Sequence, residues 1–114
     1  MYESEIQNQI KKILHQLGFT MFRNNVGAWR NPRGHWIRYG LGGPGGSDLI
    51  GWRPIMITPD MVGSKIAQFV AIETKRPSKS KVTDQQSHFI HVVKECGGIG
   101  IIASSIADLK EYIA

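Results

Sequence analysis

Apolar positions first recur with a helical period. Ile6, Ile10, Ile13, Leu14 and Leu17 stand at i, i+4, i+7, i+8 and i+11, one stripe of a helix over about residues 3–17, and Gly18 supplies its stop. The pattern then shortens. Phe19 to Phe22 reads as a strand, and Trp29 to Trp36 as a hairpin whose tip is Asn31 to Gly34. A further run opens at Asp48 and reaches about Ile57, interrupted near Arg53-Pro54. A loop over 58–65 follows, and Ile66 to Thr74 is the next strand, so these two are expected to pair as an antiparallel hairpin. Thr83 and Gln86 have capping-box spacing and open a helix that runs to about Cys96. Its inward face is predicted at Phe89, Val93 and Cys96, and Gly97-Gly98 stops it. Ile99 to Ala103 is a short buried strand. Ser104 or Ser105 caps a last helix over 106–113, with Leu109 and Ile113 facing in. Helix, strands, helix, strand, helix is an α/β order.

The chain has 114 residues, which suits a single domain over 1–114 with a sheet covered by helices. No apolar run reaches the roughly 18 residues of a membrane span, and the polar, acidic start is no signal peptide. The single cysteine, Cys96, excludes an internal disulfide and suits a reducing cytoplasm. Net charge is +5, and its distribution says more than its sum. From Ile6 to Ser47 there is no Asp or Glu, whereas Lys11, Lys12, Arg23, Arg30, Arg33 and Arg38 all fall there. Lys75, Arg76, Lys79 and Lys81 make a second basic cluster. Such an excess attracts polyanions. Between Arg23 and Tyr39, arginines alternate with Trp29, Trp36 and Tyr39; guanidinium groups grip phosphates, and aromatic rings stack on unpaired or distorted bases. Nucleic acid is therefore the expected partner.

The candidate chemistry lies between these basic stretches. A glycine-rich turn, Gly40 to Gly46, leads to Asp48, and the later apolar run Phe69 to Ile72 ends in Glu73-Thr74-Lys75. Alternation along a strand puts Glu73 and Lys75 on one face and Thr74 on the other. Charges at the end of an apolar strand are costly for packing alone; with a second carboxylate at Asp48 they suit a hard divalent cation. Gly40 to Gly45 also matches the dinucleotide fingerprint, but a strand follows it where a helix would be needed, and no nucleotide cofactor is expected. Asp60 sits in the turn-forming Thr-Pro-Asp-Met and reads as structural. His88 and His91 lack Cys or acidic companions, so zinc is not expected. On the first helix Glu3 falls within the apolar stripe and Glu5 well off it, with Glu5 the reserve candidate.

Asp48, a gap, then Glu73-Thr74-Lys75 resembles the PD-(D/E)XK nuclease superfamily, with Ser47 where a proline usually precedes the Asp. More narrowly, the chain is similar to small stand-alone VRR-NUC proteins of bacteriophages and bacteria, from Glu3 to about Tyr112. The resemblance implies an αβββαβ restriction-endonuclease-like core with a mixed central sheet flanked by helices, plus a carboxy-terminal helix. It implies an Mg²⁺- or Mn²⁺-dependent endodeoxyribonuclease. Asp48, Glu73, the Thr74 carbonyl and Glu3 would hold the metal, Lys75 would orient or help deprotonate the attacking water, and Gln86 would touch the site. Glu3 with Gln7, and Gln86 with Gly97, match the family's spacing. Arg23 and Asn25 match its Arg and Asn ahead of the glycine turn; with Arg30, Arg33, Arg38, Arg76, Lys79 and Lys81 they are the expected DNA contacts. The substrate class implied is branched DNA such as a Holliday junction, cut by a homodimer in a bacterial or phage-infected cytoplasm. A restriction-type endonuclease and a non-catalytic DNA-binding module are the alternatives.

Overall fold

The computed structural model describes residues 2–76 and 81–112, and these fall into two units that meet in sequence at Pro54 and Ile55. In the first unit the apolar stripe forms helix α1 (Glu3–Gln16), which closes at Leu17 and Gly18, the latter at φ +89°. The connection to strand β1 (Thr20–Arg23) is short, so helix and strand pack against each other. His15 fastens them, its Nε2 accepting the Met21 N–H at 3.2 Å. A four-residue strand covers little of the stripe, and Ile6 and Ile10 each stay 44% exposed. Strands β2 (Gly27–Arg30) and β3 (Trp36–Tyr39) form an antiparallel hairpin in which Gly27 faces Tyr39 and Arg30 faces Trp36. Strand β4 (Leu49–Trp52) returns antiparallel to β1, with Thr20 opposite Trp52 and Arg23 opposite Leu49. The rings of Phe22 and Trp52 meet at 5.4 Å between centroids on this ladder.

The second unit is built on strand β5 (Val70–Thr74), helix α2 (Asp84–Glu95) and strand β6 (Ile99–Ala103). β5 and β6 are parallel, with Val70 opposite Ile99 and Thr74 opposite Ala103, and α2 is the crossover such a pair requires. Ile90, Val93 and Ala103 are its buried apolar residues. Gly100 permits the close approach of helix to strand, since a Cβ there would stand 2.8 Å from the Ile90 carbonyl oxygen.

The expected pairing of the Asp48 strand with the Ile66–Thr74 strand is not what forms. β4 ends at Trp52, β5 begins only at Val70, β4 takes β1 as partner and β5 takes β6. Pro54 and Pro59 interrupt the intervening chain, whose only regular piece is a 3₁₀ turn, Pro59–Met61. The α/β class and element order are compatible with a restriction-endonuclease-like fold, with the described strands arranged as three two-stranded ladders. α2 buries Ile90 beside Val93, while Phe89 is 39% exposed. In place of a last helix over 106–113 there is a 3₁₀ turn, Ile106–Leu109. Asp108 closes it, its Oδ2 accepting the N–H groups of Ser104 and Ser105 at 2.8 and 3.2 Å. Leu109 is half-buried, and Ile113 lies outside the described residues. No described helix is long and apolar enough to cross a membrane.

Candidate active site

In the second unit three of the expected residues converge. Strand alternation places Glu73 and Lys75 on the side of β5 that α2 covers, and the Lys75 ammonium lies 3.3 Å from Glu73 Oε1. The same oxygen accepts a hydrogen bond from Gln86 Nε2 at 2.8 Å. Gln86 sits at the third position of α2 and also completes its cap. Its Oε1 accepts the Thr83 N–H at 3.0 Å, and its own N–H donates to Thr83 Oγ1 at 3.1 Å. Capping and site contact are therefore made by one side chain. The cap consumes the amide oxygen and leaves the NH₂ group aimed at Glu73. Lys75 is 16% exposed and Glu73 31%, so both are half-buried, and Glu73 and Gln86 line a groove with Ile72, Gln85 and Phe89.

Glu73 Oε2 has no protein partner among the described residues and is free to ligate. The ladder also leaves the Thr74 carbonyl available. The Lys75 N–H donates to the Ala103 carbonyl at 2.9 Å, so in a parallel register Ala103 bonds Glu73 and Lys75, and Thr74 directs its own backbone groups to the opposite edge. A carboxylate oxygen and a main-chain carbonyl are the hard donors that Mg²⁺ or Mn²⁺ accepts. Within either unit the described His, Cys, Asp and Glu residues form no group of three that could hold a metal. A cation with one or two carboxylates, waters and substrate phosphate still suits such donors.

In the first unit the glycine turn and Asp48 are organised by a residue the sequence left unremarked. Asn24 donates through Nδ2 to the carbonyls of Leu41 and Ser47 at 2.8 and 3.0 Å, and its Oδ1 accepts the Leu41 N–H at 2.9 Å. Its backbone N–H reaches the Asp48 carbonyl at 2.8 Å. The neighbouring Asn25, expected as a DNA contact, is exposed and carries none of these bonds. The turn demands glycine at Gly40, where φ is +90° and a Cβ would run into the backbone of Asn25 and Val26. Asp48 and Arg38 line one cleft with Asn24 and the glycines, and the Asp48 carboxylate is exposed to it. The glycine run leads into β4, so no helix terminus stands ready for a pyrophosphate.

At the start of α1, Glu5 is engaged: its Oε2 accepts the Tyr2 N–H at 3.2 Å. Glu3 is exposed and makes no comparable bond among the described residues. Gln7 is half-buried, with an Oε1 shielded from solvent and unpartnered among the described residues, a hard acceptor of the kind a cation or its water would use. Asp60 belongs to the 3₁₀ turn, where the Thr58 hydroxyl bonds its carboxylate and holds it below the usual range. Of the expected DNA contacts, Arg23, Arg30, Arg33, Arg38, Arg76 and Lys81 are exposed, while Lys79 lies outside the described residues.

Neither the curated proteins nor the solved structures provide a significant match. A family model does: the VRR-NUC domain matches residues 1–105, which takes in Glu3, Asp48, the Glu73-Thr74-Lys75 strand and Gln86. With nearly the whole chain matched, it belongs to the VRR-NUC domain family, a nuclease family of the PD-(D/E)XK superfamily.

Proposed function

We propose that this chain is a metal-dependent, structure-specific DNA endonuclease that hydrolyses phosphodiester bonds in branched DNA such as a Holliday junction, acting as a homodimer. The observation that carries the reading is the Glu73–Lys75–Gln86 cluster on a chain of a nuclease family. Glu73 presents one oxygen to Lys75 and Gln86 and keeps the other for a cation, and Asp48, Glu3 and the Thr74 carbonyl are the further ligands we assign. Bound Mg²⁺ or Mn²⁺ would neutralise charge on the scissile phosphate and on the leaving alkoxide. Lys75 would orient or help deprotonate the attacking water, and the contact with Glu73 fixes where its amino group points. Gln86 keeps the Glu73 carboxylate from rotating. A domain of this size has little surface for base-edge readout, which favours recognition of DNA shape and phosphate position over sequence. Two symmetric sites would cut two strands of a junction, which is the case for a homodimer.

The test uses a labelled four-way junction and its matched linear duplex, incubated with wild type and Lys75→Ala in Mg²⁺, Mn²⁺ or chelator. Paired nicks in the junction alone, lost in the variant and in chelator, are the expected result. Cuts at fixed sites in duplex would instead make it a restriction-type enzyme. Tight binding without cleavage under any metal would leave a DNA-binding module.

A further inference from the structure

We propose that the β2–β3 hairpin is a stacking arm that holds an unpaired base of the DNA on Trp36. The inference rests on DNA being the substrate, and it assigns the element that distinguishes branched from plain duplex DNA.

The pairing register sorts the hairpin side chains into two unlike faces. Cross-strand partners share a face, so Trp29 lies with Ile37, and Gly27 with Tyr39. The other face carries Arg30 with Trp36 and Ala28 with Arg38. On the first face the Tyr39 hydroxyl end lies where a Gly27 Cβ would be, and Trp29 has an aliphatic partner in Ile37, although all three side chains remain exposed. On the second face Trp36 has no large apolar partner. Its neighbours in the register are Arg30 and Arg38, and it is 66% exposed, against 52% for Trp29.

The arm is ordered before any ligand arrives. Asn31 Oδ1 accepts the N–H groups of Arg33 and His35 at 3.0 and 2.9 Å, and the Asn31 N–H reaches the His35 carbonyl at 2.8 Å. Arg30 Nε donates to the Gly34 carbonyl at 3.1 Å, which ties that side chain to the hairpin tip. Little conformational freedom is left to lose on binding. Charge selects the class of ligand, since the chain has no carboxylate between Glu5 and Asp48. Position joins the arm to the chemistry. Arg38 lines the Asp48 cleft, and Trp36 stands two residues further along β3, about 7 Å at the rise of a strand. A nucleotide whose phosphate is held at Arg38 can lay its base, or that of its neighbour, on the indole. Such stacking requires an exposed base face, which paired duplex does not present.

The experiment measures binding in chelator, without cleavage, to a duplex and to the same duplex carrying a short single-stranded branch with 2-aminopurine at the junction. Wild type is expected to prefer the branched form and to quench the probe. Trp36→Ala should lose about tenfold in affinity for the branched form with duplex binding unchanged. Trp36→Phe should recover most of the loss, and Trp29→Ala should leave the preference as in wild type. Equal losses on both DNAs in Trp36→Ala, unquenched probe in wild type, or loss of preference in Trp29→Ala would each overturn the proposal. Cleavage that survives with the same branch preference in Trp36→Ala would overturn it while leaving the nuclease reading intact. Normal stacking by a protein that cuts under no metal would do the reverse. If a single-stranded RNA branch binds Trp36 as tightly as the DNA one, the assignment to DNA falls.

Discussion

Gln86 offers the sharpest test, because a single amide makes two bonds with different purposes. Gln86→Ala removes the oxygen that accepts the Thr83 N–H and the NH₂ that reaches Glu73, while the Thr83 Oγ1 bond to the Gln86 backbone survives. The reciprocal half of a capping box contributes about 0.5–1 kcal/mol. A hydrogen bond to a charged group contributes about 1.5–3 kcal/mol, and with Glu73 31% exposed we take about 1 kcal/mol. The expected loss is about 2 kcal/mol, near 8 °C in Tm for a chain of this size. Gln86→Glu separates the two bonds. Its carboxylate still accepts the Thr83 N–H and gains about 0.5 kcal/mol from the helix dipole, so the cap is kept. It has no donor for Glu73 and sets a second negative charge where 2.8 Å separated amide and carboxylate. Lys75, 3.3 Å from the same oxygen, offsets part of that repulsion. The Glu variant should therefore keep the cap yet cleave as poorly as the Ala variant, at least tenfold below wild type, with hydrogen exchange at the Thr83 amide reading the cap and junction-cleavage rates reading the contact. A Glu variant that cleaves at the wild-type rate would refute the reasoning and reduce Gln86 to a cap.

Asn24→Ala deletes three bonds to main-chain groups of the glycine turn, and for a half-buried side chain this costs about 2 kcal/mol of local stability. Hydrogen exchange at the Leu41 amide should accelerate about 30-fold and cleavage should fall, while Asn25→Ala leaves the exchange unchanged; equal effects of the two would sink the assignment. Gly100→Ala pushes a methyl group against the Ile90 carbonyl and should cost about 1–3 kcal/mol, read as a lower midpoint in chemical denaturation. A midpoint within error of wild type would mean that α2 can lift off β6 without penalty.

The parts legible in the sequence are those set by local rules. The stripe over α1, the capping box of α2, the glycine stops and the Asn31–Gly34 tip each depend on residues within a few positions of one another. What could not be read is which strand pairs with which. The Asp48 and Glu73 runs are neighbours in sequence and looked like a hairpin, but the prolines between them block the ladder. β1 and β6, one long before and one after the crossover helix, take the edges instead. Asn24 escaped notice for a related reason. Its partners at Leu41 and Ser47 are distant in sequence, and nothing in Arg-Asn-Asn tells which asparagine turns inward. Strand alternation does: Arg23 pairs with Leu49, and the residue after it meets the Asp48 carbonyl.

The second unit shows why the Glu73–Lys75–Gln86 cluster tolerates little change. Parallel pairing with β6 turns the Thr74 carbonyl out of the ladder, and alternation sends Glu73 and Lys75 towards α2. The turn that starts α2 aims Gln86 back at Glu73. Each step is an ordinary requirement of a β–α–β unit, and together they leave one carboxylate oxygen restrained twice and the other open. Two restraints on a half-buried carboxylate limit its rotation and hold its second oxygen in one place. Fold stability and site geometry thus rest on the same few bonds, so substitutions at Gln86 change Tm and rate together unless the replacement keeps the cap. That dependence is the reason the Glu variant, which keeps the cap and not the contact, is the informative one.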